Sequence, residues 1–343
     1  MLSSLPKLAD RAFIIGFLLP AVLFLVGFYV VFSDIEAVAK AAEAAFAKEA
    51  LETFVFAAVV AWLLAISLSI LNHGLLRAFE GYRFPIRRFK AKQIKSFREI
   101  NAKITELDKQ WSDMGRAFPA EKQKQHALLL RAFVSTFPSE ERLVLSTRFG
   151  NAIRAFEDYS RAVYGADSIP LWNHLAAILN DRFAQELEDA RTHVNSLINL
   201  SFLSAVISLL AILRFLLELP WSTSPSLYWL IVAPWSLLTI FGAGAVISRL
   251  AYLLAIERAI AWGSVVKAAF DCFLPELAVK LGYNLPDSPK LRRAFWNEFS
   301  KQAIFHLPLK RERWLAKKTP TTAAKRQSAT SKAKSQNLRS RGK

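Results

Sequence analysis

The densest run of side chains able to do chemistry lies at residues 148–167. Wound as a helix, it places Asn151, Arg154, Asp158 and Arg161 on one stripe, because residues three and four apart are neighbours. Arg154/Asp158 and Glu157/Arg161 then form i,i+4 pairs of opposite charge. Ile153 and Phe156 point elsewhere, toward a core. Tyr164 and Asp167 close the run. Two readings stand side by side. One is a salt-laced structural helix. The other is a polar site beside a membrane that binds an anionic or amphipathic ligand, with Asn151, Arg154, Glu157, Asp158, Arg161, Tyr164 and Asp167 as its ligand-binding residues.

Motifs for catalysis do not accompany this run. The chain has no G-x-x-x-x-G-K-[ST] loop, H-E-x-x-H helix, paired C-x-x-C or G-x-S-x-G elbow. Gly242-Ala243-Gly244 falls in an apolar stretch and cradles no phosphate. His73, His126, His174, His193 and His306 are not at metal-ligand spacing. We therefore expect no catalytic residues, no metal, no cofactor and no enzymatic activity. The single cysteine, Cys272, excludes an internal disulfide framework and is read as a buried, inert side chain.

Four long apolar stretches must position the run. A bilayer core takes about 20 apolar residues of helix. Spans at 12–32, 53–72, 197–217 and 228–248 satisfy this. The predicted fold is all-α, with four transmembrane helices, a cytoplasmic helical domain and a disordered basic tail. Residues 1–76 form the first transmembrane hairpin, with an external loop at 33–52. Residues 77–196 form the cytoplasmic domain and 197–256 the second hairpin. Residues 257–316 form further cytoplasmic helices, and 317–343 the tail.

Charge sets the orientation, because Lys and Arg collect on the cytoplasmic side of short loops. The loop at 33–52 carries five acids against two bases, whereas 77–98 carries eight bases against Glu80 alone. Arg249, Arg258 and Lys267 follow the fourth span. Every flank agrees on cytoplasmic N- and C-termini in a multi-pass protein. A signal peptide is the competing reading of residues 1–32, but its apolar run is too long for one.

Within the spans, small residues mark helix contacts. Ala57, Ala61, Ala65 and Ser69 recur every four residues in the second span. Ser201, Ser204 and Ser208 share one side of the third, and Gly16, Pro20 and Gly27 one face of the first. These ladders suit packing within one subunit, contact between subunits in a homo-oligomer, or a serine stripe facing a pore. No Asp or Glu sits in the middle of a span. Arg214, with Glu218 one turn on, is the charged exception: it either snorkels and pairs or forms an anion-attracting mouth. Trp221, Tyr228, Trp229 and Trp235 read as an outer aromatic belt.

The polar segments read as helices throughout. Phe97, Ile100, Ile104, Leu107, Trp111 and Met114 form a heptad-like seam, either packing on its own domain or pairing with a second copy. Pro138-Ser139-Glu140-Glu141 reads as a helix start, and Pro275 as another, ended by Gly282. From Asn180-Asp181 to Leu219 no Gly or Pro intervenes, which predicts one helix running out of the membrane into the polar domain. Net charge is +17, and 310–343 holds twelve bases and one acid. Arg87, Arg88, Lys90, Lys92 and the 317–343 tail are the basic elements expected to meet membrane lipid, anionic lipid or nucleic acid.

R-F-G-N-x-I-R-A-x-E-x-Y at 148–159, followed by Y-G-x-D at 164–167 and Trp172, resembles a segment of an uncharacterised bacterial membrane-protein family. Ala268-Ala269-Phe270-Asp271, Leu281-Gly282-Tyr283 and Arg293-Ala294-Phe295-Trp296 are similar to a second such segment. The resemblance implies the bacterial inner membrane and carries over no activity. It marks Asn151, Arg154, Glu157, Tyr164, Asp167 and Asp271. Two functions follow as expectations. The first is a non-enzymatic, oligomeric channel-like assembly or membrane effector with a cytoplasmic sensing domain. The second is a membrane-anchored scaffold for anionic lipid or nucleic acid.

Overall fold

The computed structural model describes residues 10–34, 38, 40, 50–82, 86–219 and 234–306. Among them every regular element is helical and no strand occurs. In chain order the helices are α1 (Arg11–Phe32), α2 (Ala50–Glu80), α3 (Lys90–Met114), α4 (Ala120–Thr136), α5 (Arg148–Tyr164), α6 (Ser168–Ala176), α7 (Asp181–Glu218), α8 (Trp235–Lys280) and α9 (Pro289–Phe305). Helices α1, α2, α7 and α8 are long and apolar enough to cross a membrane. Most of the predicted external loop, the start of the predicted fourth span at 228–233 with the belt residues Trp221, Tyr228 and Trp229, residues 307–316 of the predicted cytoplasmic helices and the 317–343 tail lie outside the described residues.

Helix α7 is continuous, as its lack of Gly and Pro predicts. Asn180 caps it by accepting the Phe183 N–H at 2.9 Å. Helix α8 is longer than predicted: it passes straight through Pro275. An interior proline costs about 3 kcal/mol. Leu274, Leu277 and Ala278 are each at most 2 % exposed, and their burial offsets that cost. Cys272 is exposed rather than buried, because it turns away from the face carrying Ala269, Phe270 and Leu274. The expected helix start at Pro138 is a bend followed by a short 3-10 turn at Glu141–Leu143. There Ser139 spends its donors on Asp158 instead.

One core joins the two polar segments. Phe149, Ile153 and Phe156 of α5, Leu171 and Leu175 of α6, Ile198 of α7, Phe270 of α8 and Phe295 of α9 belong to a single apolar cluster. Phe149, Phe270 and Phe295 are fully buried, each contributing about 2 kcal/mol or more. The α3 seam packs on its own neighbourhood: Phe97 and Ile104 meet Phe133, Phe137 and Val144, and Trp111 stacks on Phe118 at 5.3 Å.

The apolar helices meet through small and polar groups. Helix α7 has its most extensive contact with α8. Ser201 Oγ donates to Ser248 O at 3.0 Å and Ser248 Oγ to Ser201 O at 2.8 Å. Ser208 Oγ donates to Phe241 O at 2.7 Å. A Cβ at Gly244 would stand 2.7 Å from Ser208 Oγ and 3.1 Å from Ser204 O. The serine stripe therefore faces α8. Helix α1 lies on the other side of α7. Pro20 has no N–H to give Gly16, a π-helical turn spans Ile14–Leu18, and Asn199 Nδ2 donates to the Gly16 carbonyl at 2.8 Å. Arg214 closes the far end: it bonds Glu218 at 2.5 Å and reaches the Val31 carbonyl and the Asp34 carboxylate. That geometry is the paired reading of Arg214, extended to α1.

The predicted α2 ladder is only partly buried. Ala61 and Ala65 are covered, but Ala57 and Ser69 are exposed, and Leu68 and Asn72 complete the covered line. A strict four-residue step drifts about 40° round a helix of 3.6 residues per turn, so a real contact alternates steps of four and three.

Candidate functional site

Helix α5 is the hub of the polar body. Thr147 caps it, with Oγ1 accepting the Gly150 N–H at 2.9 Å. The same hydroxyl donates to the Phe79 carbonyl at 2.7 Å, at the end of α2. A Cβ at Gly150 would lie 2.1 Å from the Glu80 carbonyl oxygen, so only glycine lets the α2 terminus rest on α5. Glu80 lies eight residues beyond the 53–72 apolar stretch. Burial pushes its carboxyl up to about 7, with the neighbouring Glu157 adding to the shift and Arg77 and Arg154 opposing it. Burial also raises Glu157, against the pull of Arg154 and Arg77. Arg154 NH1 bonds Glu157 at 3.1 Å, and Arg77 NH1 lies 3.9 Å from Glu80. Two carboxyls and two guanidiniums thus meet where an apolar helix docks on the polar body.

The predicted i,i+4 pairs along α5 do not form. Their residues pair at i,i+3 instead: Arg154 with Glu157, and Asp158 with Arg161 at 2.6 Å. Ser139 is the reason. Its N–H donates to Asp158 at 3.0 Å and its hydroxyl binds the same carboxylate, which holds Asp158 on the side that Arg161 reaches. Burial pushes the Asp158 carboxyl up, but the bonds from Ser139 and Arg161 outweigh it and leave the group below the usual carboxylate range.

The other nominated residues are also engaged. Asn151 is 1 % exposed. Its Oδ1 accepts the Leu145 N–H at 2.6 Å and its Nδ2 donates to Gln93 at 3.2 Å, so it staples α3 and the 138–147 connection to α5. Asp167 caps α6 by accepting the Ile169 N–H at 3.2 Å. Tyr164 donates to Asp271 of α8 at 2.7 Å, and Tyr159 donates to the same carboxylate at 2.9 Å. Lys267 stands 5.4 Å from the Tyr159 ring centre, and burial lowers its affinity for a proton.

Three spaces adjoin α5: one of about 630 Å³ is bordered by Arg161, Asp167 and Arg293, and the other two take in six of the seven nominated residues. The smaller, of about 170 Å³, is lined by Arg154, Glu157, Asp158, Arg161 and Asp167. Five of the seven nominated residues therefore converge, around a space with room for a few waters or a small ion and below the size of an ordinary ligand pocket. The larger is an open groove of about 1210 Å³ running from α3, α4 and α5 to the seam between α7 and α8. Asn151 lines it; Tyr164 lines neither. Among the described residues, Lys92, Arg148 and Arg249 are its cations and no carboxylate lines it. Among the described residues, no three His, Cys, Asp or Glu side chains converge to hold a metal ion.

No family model, curated protein or solved structure matches this chain.

Several residues that matter most in this geometry were not singled out by spacing. Asn72 Nδ2 donates to Asn195 Oδ1 at 3.3 Å, tying α2 to α7, and Asn199 replaces the N–H that Pro20 lacks. Their signal was present: Asn195 and Asn199 are one helical turn apart where α7 becomes apolar. A buried amide there needs a partner. Gly150 and Glu80 carry no such signal, because only the docking of α2 gives them meaning.

Proposed function

We propose that this protein is a non-enzymatic, multi-pass effector of the bacterial inner membrane. It assembles as a homo-oligomer in a channel-like arrangement, with both termini and the polar body in the cytoplasm. The polar body senses and the spans respond. The single observation that carries this reading is that α7 and α8 each run unbroken from an apolar stretch into the shared apolar core of the polar body. A change in that core moves both helices as levers. Helix α2 adds the response element: it rests on α5 through Gly150 and presents an apolar face that the other described residues leave open. The resemblance at 148–159 supports the compartment, and the basic 77–98 segment supports the orientation.

Two measurements test the proposal. The full-length protein in mild detergent is expected to have the mass of an oligomer, and in liposomes to pass ions. A monomer that leaves liposomes tight defeats the assembly. Cys272 reports orientation, since it is exposed and is the one cysteine. A membrane-impermeant maleimide is expected to miss it in intact cells and label it after permeabilisation. Labelling in intact cells overturns the topology.

A further inference from the structure

We infer that the groove between α7 and α8 is a binding site for one anionic phospholipid of the bilayer, held with its phosphate at Lys92, Arg148 and Arg249. The inference rests on the membrane reading of α7 and α8 and not on the oligomer or on ion passage. Three observations converge on it.

The first is charge. Lys92 of α3, Arg148 of α5 and Arg249 of α8 come from three separate helices to line one groove. Among the described residues none of them makes an ion pair, in a protein where Arg98, Arg154, Arg161 and Arg214 all do. Arg249 lies 5.6 Å from the Tyr252 ring, which fixes its direction without neutralising it. The positive end of α5 adds to the same sign.

The second is the floor. Past the cations the lining is mostly apolar, through Phe202, Leu209 and Ile212 of α7 and Phe241 of α8, and the hydroxyls of Ser201, Ser208 and Ser248 among them are already bonded to backbone carbonyls. Phe202 to Ile212 is ten residues of one helix, about 15 Å. Its length equals the thickness of one leaflet of hydrocarbon, half of about 30 Å, and within the 197–217 stretch it starts five residues from the end nearest the polar body and reaches past the middle. A water-soluble polyanion would leave this floor empty, whereas an acyl chain fills it.

The third is register. Arg249 directly follows the 228–248 apolar stretch, so the cations stand where a headgroup begins and the floor where chains lie. The same end of the groove is roofed by α3 and α4 of the polar body, with Phe89 and Phe137 among its walls. A bound lipid would therefore touch both the spans and the polar body.

The test uses the full-length protein in nanodiscs of equal parts phosphatidylglycerol and phosphatidylcholine, followed by release into detergent and native mass spectrometry. Wild-type protein is expected to retain one phosphatidylglycerol over phosphatidylcholine by about tenfold, equivalent to about 1.4 kcal/mol. Arg148→Gln with Arg249→Gln is expected to abolish the preference. Ala205→Trp with Ala245→Trp fills the floor and leaves every charge in place; it is expected to abolish retention of either lipid. Melting temperatures near wild type show that both pairs fold. Equal retention of the two lipids by wild type overturns the inference. So does phosphatidylglycerol retained by the tryptophan pair, since the headgroup would then bind the surface without the groove. A monomeric, non-conducting protein that still retains the lipid defeats only the proposed function.

Discussion

The α7–α8 pair and helix α2 are both apolar enough to cross a bilayer, yet they are held in opposite ways. Ser201, Ser208 and Ser248 bond across the α7–α8 seam, Gly244 lets the backbones close, and both helices continue into the apolar core of the polar body. Helix α2 has a covered line of Ala61, Ala65, Leu68 and Asn72 and a docked end, while Phe54, Phe56 and Ile70 are 71 %, 68 % and 75 % exposed. Without a hydrophobic force between helices in lipid, close backbone approach and hydrogen bonds decide which helices move together. Helices α7 and α8 are thus joined along the seam and in the core, whereas α2 is held by one covered line and by its end on α5; under the proposed function the pair is the lever and α2 the arm, governed where Glu80 meets α5.

The sharpest way to break this division is at Gly150. Gly150→Val drives two methyls into the Glu80 backbone, and we expect a loss of about 3 kcal/mol, read as a lower melting temperature in detergent. If the arm is hinged, α7–α8 contacts survive the change, and cysteine cross-links introduced across that seam still form.

Next comes pH. The folded Glu80 carboxyl has its affinity for a proton raised from 4.5 to about 7. The folded state thus binds more protons than the unfolded state, and this group's contribution to stability falls as pH rises from 4.5 to 7. Glu157, raised in the same direction, adds to that slope. Glu80→Gln mimics the protonated form. It is expected to match wild type near pH 4 and to exceed it at pH 8 by on the order of 2 kcal/mol. Identical thermal stability profiles for the two proteins from pH 4 to pH 8 would remove Glu80 as the control point.

Asn199→Ala tests the lever's other partner. It strips the Gly16 carbonyl of its donor, and about 1 kcal/mol of stability should go with it. The loss is expected to show as faster exchange of amide hydrogens in α1, with α8 unaffected. The smallest effect belongs to the exposed ladder residue. Ala57→Leu is expected to change the subunit's melting by less than about 0.5 kcal/mol. Any change in oligomer mass from that substitution identifies the open α2 face as the contact between copies.

Much of this architecture was legible in the chain. A bilayer selects on length and apolar composition, which are local, so four helices long and apolar enough to cross one were readable from 12–32, 53–72, 197–217 and, within the described residues, the part of 228–248 from Trp235 onward. The unbroken α7 was readable from its lack of Gly and Pro, and the core face of α5 from Ile153 and Phe156. The pairing along α5 was not. Spacing permits Arg154 to meet either Glu157 or Asp158, and Ser139, nineteen residues from Asp158, makes the choice.

Composition and local pattern alone determined the helical class, the apolar stretches, the charge asymmetry around them and the stripe of polar residues at 148–167. Tertiary structure decided that α8 runs through Pro275, that the serines face α8, that α2 ends on Gly150, and that three cations from three helices line one groove. Helix formation and membrane insertion depend on neighbours a turn apart. Burial, ion pairing and grooves depend on which distant residues meet, and no stretch of the chain carries that information by itself.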